Sequence, residues 1–168
     1  MTNAPKILRA MPRMATPESI APYGTLIEPG EDGTPFGPAD AQLDLSRGTP
    51  RFYIMRLPYR PLLVRGITRH RLVTQCLGAA DGKEWFICLA PASDVEDPAA
   101  KPDPAAITCF RVPPGVVLAL HRGTWHAGPF FEGSAQDFLN LELHDTNEVD
   151  HHTVRLDTEF GVALQIVP

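Results

Sequence analysis

The stretch Val116-Val-Leu-Ala-Leu-His-Arg-Gly-Thr-Trp-His126 places two imidazoles on either side of a glycine turn. The apolar residues before His121 follow the turn sequence Pro113-Pro-Gly115 and predict a buried strand. Side chains five positions apart on an unbroken strand face opposite ways, whereas a turn at Gly123 resets the alternation and lets both histidines point inward. The spacing therefore predicts a two-histidine site inside a β fold. The alternative is one core histidine and one surface histidine.

Length and composition indicate an ordinary globular protein with a small-molecule partner. The 168 residues fit one domain, with 1–49 as an N-terminal helix and arm and 50–168 as the main β body. A hydrophobic content of 43% with 21% charged residues indicates neither disorder nor a membrane span. The formal charge of −5 and a pI near 5.6 give no basic surface for nucleic acid or an anionic bilayer.

The N-terminus and the cysteines predict a cytoplasmic protein. Residues 1–14 never contain seven consecutive apolar residues, so they lack the apolar core of a secretory signal. Cys76, Cys88 and Cys109 are odd in number and lie among apolar neighbours, which favours reduced core thiols over a disulfide framework.

Short apolar or alternating runs follow Pro50, each bounded by turn residues, which is typical of an antiparallel sandwich or barrel. The predicted strands cover residues 51–57, 62–64, 72–77, 85–90, 107–112, 116–120, 137–143, 153–156 and 162–167. Before them, Thr16 and Pro17 predict the start of a short helix that ends by Gly24. Residues 25–49 are rich in Gly, Pro and Asp and predict a long surface loop or an extended arm, strand-like only at 25–27.

Two altered motifs resemble those of the cupin superfamily. The second cupin motif, Pro-x-Gly-x-x-His, is matched by Gly123 and His126, with His121 in the place of proline. The first, His-x-His-x-x-x-x-Glu, keeps one histidine at His70, and Gln75 stands in the place of glutamate. These replacements resemble the ureidoglycolate lyase family, a cupin branch. The likeness also includes Tyr23-Gly24, Arg56, Arg69, Lys101-Pro102-Asp103 and Asp137-Phe138-Leu139.

The resemblance implies a mainly β fold, the double-stranded β-helix (cupin) barrel, and an enzyme that splits ureidoglycolate into glyoxylate and urea in purine and allantoin breakdown. It also implies a homodimer. Two departures stand out, because the family has glutamate where this chain has Thr68 and a further histidine where it has Ala127. The alternatives are a diverged cupin isomerase or dioxygenase acting on another small hydroxy or keto acid, and a non-catalytic domain that binds a small organic acid.

Four side chains are candidate ligands of a divalent metal ion: His70, Gln75, His121 and His126. Their nitrogen and oxygen donors suit nickel, manganese, zinc or iron. The alternative is a site without metal, in which the imidazoles bind an organic anion directly or act as acid and base. His121 and His126 are accordingly the candidate proton-transfer residues.

Substrate binding is expected to need arginine, because guanidinium binds a carboxylate through paired charge-assisted hydrogen bonds. Arg56, which strand alternation could turn inward, is predicted to bind substrate and stabilise the reacting group, and Arg69 to bind substrate. Asp137 could orient a histidine, and Trp125 could form a pocket wall. Glu142, His144, His151 and His152 are expected to face solvent.

Overall fold

Two β-sheets pack face to face in the computed structural model, which describes residues 4–168, and a smaller third sheet adjoins them. The strands of the described residues are β1 (Lys6–Ala10), β2 (Arg13–Met14), β3 (Gly24–Ile27), β4 (Pro50–Pro58), β5 (Leu63–Val64), β6 (Gly66–Arg69), β7 (Gln75–Ala79), β8 (Trp85–Ala90), β9 (Thr108–Val112), β10 (Val117–Leu120), β11 (Trp125–Phe130), β12 (Ala135–Leu143), β13 (His152–Arg155) and β14 (Val162–Ile166). The helices are α1 (Pro17–Ile20), α2 (Thr146–Val149), α3 (Leu156–Glu159) and a 3-10 turn at Pro104–Ala106. No helix within residues 4–168 is long and apolar enough to cross a membrane.

The strand order confirms the predicted double-stranded β-helix. One sheet runs β3-β10-β7-β12-β4 and the other β13-β6-β11-β8-β9-β2. Counting β4 and β6 to β12 as strands one to eight, the first sheet holds strands 1-8-3-6 and the second 2-7-4-5, which is the jelly-roll arrangement that cupins share. The two sheets face each other without closing into a continuous barrel.

The N-terminal segment adds one strand to each sheet, and β3 confirms the strand-like stretch predicted at residues 25–27. β1 pairs with β14, β2 with β9 and β3 with β10. The predicted helix start is confirmed at Thr16, whose side chain accepts a hydrogen bond from the Ser19 amide in a capping box. Strands β1, β2, β6 and β11 were not predicted, since they are short or carry charged residues, glycine and proline.

Strand β8 is buried on both faces, which explains its unbroken apolar sequence. Trp85, Ile87 and Leu89 pack in the core between the two large sheets. Phe86 and Cys88 point the other way, into a second core that includes residues of β14. A strand buried on both sides needs no polar alternation.

A disulfide joins Cys88 of β8 to Cys109 of β9, so the prediction of three reduced thiols is wrong. The two residues are directly opposite in the antiparallel pair, with their Cα atoms 4.0 Å apart. Strand register brings these cysteines together, and sequence spacing alone cannot show that. Cys76 is the free cysteine; it is buried, and burial raises the pKa of its thiol to about 11.

Thiol counting is expected to give one reactive group in the oxidised protein and three after reduction. Urea should be present in both assays, because the buried Cys76 is inaccessible in the folded state. The Cys76→Ser variant should give no reactive thiol before reduction and two after it. Three thiols in the unreduced, denatured wild type would contradict the disulfide.

Candidate functional site

A cavity of about 370 Å³ lies between the two large sheets. Strands β4, β7, β11 and β12 form most of its wall, and the rest comes from the segments that follow β4, β6 and β12. Its lining combines an apolar side with a polar one. The lining residues are Tyr53, Met55, Leu57, Pro58, Arg60, His70, Gln75, Leu77, His126, Gly128, Pro129, Asn140, Glu142, Asn147 and His151.

Two histidines from different segments meet in this cavity. The ring centroids of His70 and His126 are 5.0 Å apart, and both residues are buried. The backbone amide of Gly123 donates to the His70 carbonyl over 2.7 Å, which ties the two segments together. Gly123 has a φ of +78°, and a Cβ there would come within 2.7 Å of the Val95 side chain. The turn therefore requires glycine.

Backbone carbonyls fix the orientation of both imidazoles. His70 Nδ1 lies 2.6 Å from the Asp150 carbonyl, and His126 Nδ1 lies 3.3 Å from that of Thr124. A carbonyl only accepts, so each Nδ1 carries the proton and each Nε2 keeps its lone pair. Burial lowers the pKa of His70, and burial together with the nearby His70 lowers that of His126 to about 3. Both rings are neutral near pH 7.

Asp150 positions His70 with its carboxylate as well as with its carbonyl. The two carboxylate oxygens accept hydrogen bonds from the amides of Arg71 and Leu72, each over 2.7 Å. The segment after α2 is thereby fixed to the segment after β6. Such support restricts the ring to one orientation.

The polar side of the cavity is a network centred on Glu142. Its carboxylate accepts hydrogen bonds from the Tyr53 hydroxyl (3.1 Å), the Gln75 amide (3.0 Å) and the Asn147 amide (3.3 Å). Asn140 accepts from Gln75 and donates to the Tyr53 hydroxyl. Glu142 is 1% exposed, so the expectation that it faces solvent is wrong. The inner face of β12 is therefore polar at the end that lines the cavity.

The amide oxygen of Gln75 has no hydrogen-bond partner although it is buried. A buried carbonyl without a partner is costly, and a bound ligand would satisfy it. His70 and His126 offer free Nε2 atoms in the same cavity, so these three donors fit a divalent metal ion in ligand type. Within residues 4–168, no three His, Cys, Asp or Glu side chains form a metal-binding group.

His121 is exposed and does not line the 370 Å³ cavity, so the turn directs only His126 into it. His121 does border a narrow gap that is also lined by the other three predicted metal ligands, His70, Gln75 and His126. On its outer side it borders a groove formed by α1, β3 and the loop after β3. Its backbone amide donates to the Tyr23 carbonyl over 2.9 Å. This bond fixes the turn from the outside.

Arg56 and Asp137 lie on the outer face of the five-stranded sheet rather than in the cavity. They form a bidentate ion pair of 2.8 and 2.9 Å, and the Arg56 side chain is 77% exposed. The side chains of β4 that point inward are those of Tyr53, Met55 and Leu57. Arg56 alternates with them along the strand and therefore points outward. The expectation that strand alternation turns Arg56 inward is therefore wrong, and Asp137 does not orient a histidine.

Arg69 and Trp125 are buried beside each other, where they hold a loop instead of lining the cavity. The Arg69 guanidinium donates to the Asp94 and Asp97 carbonyls and stacks over the Trp125 ring. Trp125 donates its indole N–H to the Ser93 hydroxyl. Both residues therefore fix the segment after β8.

Arg60 and His151 line the cavity, and neither was predicted to do so. Arg60 lies at the mouth, where it donates to the Pro129 carbonyl over 3.0 Å and stacks on the Phe130 ring. Partial desolvation lowers the pKa of its guanidinium. His151 has its ring centroid 5.8 Å from that of His70. The sequence signal for Arg60 was its position between Pro58, which ends β4, and Pro61.

The fold and the buried histidine pair define a protein of the cupin type, a double-stranded β-helix with a ligand cavity between its sheets. The sequence pattern of the ureidoglycolate lyase family matches residues 36–163. The chain therefore belongs to the ureidoglycolate lyase family, whose members are enzymes acting on a small molecule. No protein of curated function shows significant similarity to it.

Solved structures of oxalate decarboxylase are similar to this chain at 15% identity, with a TM-score of 0.40. The similarity covers 66% of this chain and 24% of each of theirs, so the chain spans about a quarter of their length. One of these structures concerns the substrate binding mode and a reaction specificity switch. Another concerns the Mn(II) centres of the Bacillus subtilis enzyme.

The free energy of unfolding of metal-free protein is expected to fall as the pH drops below 6.5. The pKa of His126 is about 3 when folded and 6.5 at its ordinary value, so the unfolded state binds more protons between these pH values. Stability should be full above pH 6.5 and decline by up to about 1.4 kcal/mol per pH unit towards pH 3, where the decline ends. Urea unfolding with chelator present measures this.

The His126→Gln variant should show a shallower decline over the same pH range. His144→Gln is the matched control, because His144 is an exposed histidine and its removal should leave the decline unchanged. An unchanged decline in the His126→Gln protein would show that another group causes the loss of stability.

Proposed function

We propose that this protein is a lyase that splits ureidoglycolate into glyoxylate and urea. One observation carries the proposal: the buried carboxylate of Glu142 faces a cavity that also holds two neutral imidazoles and an arginine. Family membership supports the choice of substrate. A base and a carboxylate-binding group are the two elements that this reaction requires.

Arg60 is the group that binds the substrate carboxylate in this proposal. It is the arginine that lines the cavity, and its planar guanidinium can donate two parallel hydrogen bonds to a carboxylate. The polar side of the cavity, with Gln75, Asn140 and Tyr53, offers amide and hydroxyl groups that suit the neutral ureido end. Repulsion by Glu142 keeps the substrate carboxylate away from that side.

Glu142 moves the proton. It takes the proton from the substrate hydroxyl while the carbon–nitrogen bond breaks and the carbon–oxygen double bond of glyoxylate forms. The same proton then passes to the departing nitrogen, which leaves as urea, so the reaction needs no outside proton and no covalent intermediate. Hydrogen bonds from Tyr53, Gln75 and Asn147 hold the carboxylate in place.

His126 has a different role from proton transfer, because a pKa of about 3 leaves it neutral and weakly basic. Its Nε2, that of His70 and the Gln75 oxygen are the atoms that would hold a divalent metal ion. Such an ion, when bound, supplies a Lewis acid that polarises substrate oxygens. Nickel, manganese, zinc and iron all accept these ligand types.

Purified protein is expected to release glyoxylate and urea from racemic ureidoglycolate, in assays with and without added nickel or manganese. Glu142→Gln should lower kcat by roughly 10²- to 10⁴-fold, because it removes the proton-transfer group. Arg60→Gln should raise KM by roughly 10- to 100-fold, the cost of a charge-assisted hydrogen bond. Elemental analysis of the same preparation measures bound metal.

Arg56→Gln is the matched control for Arg60→Gln, because it removes an arginine whose guanidinium is already paired outside the cavity. It should keep kcat and KM. Full activity in Glu142→Gln would reject the proton-transfer role. Failure of the wild type to release glyoxylate under all metal conditions would reject the substrate.

A homodimer, a cytoplasmic location and a role in purine breakdown belong to the same proposal. The outer face of the five-stranded sheet supports the homodimer. Phe52 and Ile54 are 68% and 62% exposed there, next to Leu141 and Leu139 on β12. An apolar patch of this kind is typical of a protein–protein contact.

Light scattering is expected to give twice the chain mass for the wild type and the chain mass for Ile54→Asp. A buried carboxylate in an apolar contact would remain unpaired and oppose association. Met11→Asp is the control, because Met11 is similarly exposed at 65% but lies outside this sheet face. An Ile54→Asp protein that stays dimeric would place the contact elsewhere.

A further inference from the structure

A second cleft of about 600 Å³ adjoins the cavity and shares part of its wall. Arg60, His126, Gly128 and His151 line both spaces. Beyond these shared residues the cleft extends along β5 and β6. Its further polar side chains are Arg65, Thr68 and Arg155.

The cleft is strongly cationic. Three arginines line it, whereas none of its lining residues within the described chain is acidic. Asp157 pairs with Arg155 through two hydrogen bonds and approaches Arg65 at 3.5 Å, so one carboxylate serves two guanidinium groups. With Arg60 at the shared wall, about two positive charges are left without a partner.

The two connected spaces have opposite electrostatic character. The inner cavity holds the carboxylate of Glu142 together with neutral amide and hydroxyl groups. The cleft holds the arginines. A ligand with one anionic group can place that group beside Arg60, at the boundary between the two spaces. A ligand with a second anionic group can place the second group further out, beside Arg65 and Arg155.

We propose that the arginine cleft is a second anion subsite, so that the enzyme prefers dicarboxylate ligands over monocarboxylates of equal length. Arg60 binds one carboxylate and Arg65, with Arg155, binds the other. This inference rests on the proposed function for the orientation at Arg60. The charge and shape of the cleft do not depend on that function.

Titration calorimetry with glutarate and pentanoate tests the subsite, because the two acids differ by a methyl group in place of one carboxylate. The wild type should bind glutarate about tenfold more tightly, as expected for one additional charge-assisted hydrogen-bonded contact. Arg65→Gln should remove most of this preference and leave pentanoate affinity unchanged. Raised ionic strength should weaken glutarate binding more than pentanoate binding.

Arg111→Gln is the control, because Arg111 also pairs with a carboxylate, that of Glu84, but lies on β9 away from the cleft. It should keep the preference for glutarate. Equal affinity of the wild type for the two acids, or an unchanged preference in Arg65→Gln, would overturn the subsite.

The calorimetric result does not depend on catalysis. A preference for glutarate that depends on Arg65, in a protein that releases no glyoxylate, supports the subsite and rejects the proposed substrate. Release of glyoxylate without any preference for glutarate supports the proposed substrate and rejects the subsite. Substituting 4-phosphonobutyrate, which also has three methylenes between its anionic groups, for glutarate shows whether the subsite prefers carboxylate or phosphonate.

Discussion

The register of β12 between β4 and β7 is the constraint on which the site depends. Nine residues of β12 pair with β4 and four with β7, which fixes the face that each side chain occupies. A shift of one residue would turn Glu142 outward and Leu141 into the polar network. The alternation of side chains along β12 thus places a carboxylate inside the protein and apolar side chains on its outer surface.

The histidines depend on a second constraint, which is the position of main-chain carbonyls. His70 follows β6 and His126 lies on the neighbouring strand β11, and each ring presents Nε2 to the cavity because a carbonyl occupies Nδ1. Burial keeps both rings uncharged. The cavity therefore combines one fixed negative charge with neutral donors, and the positive charge lies at its mouth.

The sequence was sufficient for the mainly β class, the start of α1 and the motif that carries His126. It was insufficient where strand faces had to be assigned, as at Arg56 and Glu142. The rule that apolar residues point inward fails at Asn140 and Glu142 of β12, because the interior there is a polar cavity. It holds at Phe138, which has the same parity and lies in the core. Arg60 and the Cys88–Cys109 pair depend on tertiary proximity, which local patterns do not encode.

The segment that precedes the family match also contributes to the site. The match begins at residue 36, yet the Tyr23 carbonyl accepts hydrogen bonds from the His121 amide and the Thr124 hydroxyl. The turn that carries His126 is thus anchored by residues that a family comparison would leave out. A shortened protein designed from the matched region alone would keep every cavity-lining residue and lose the support that aligns one of them.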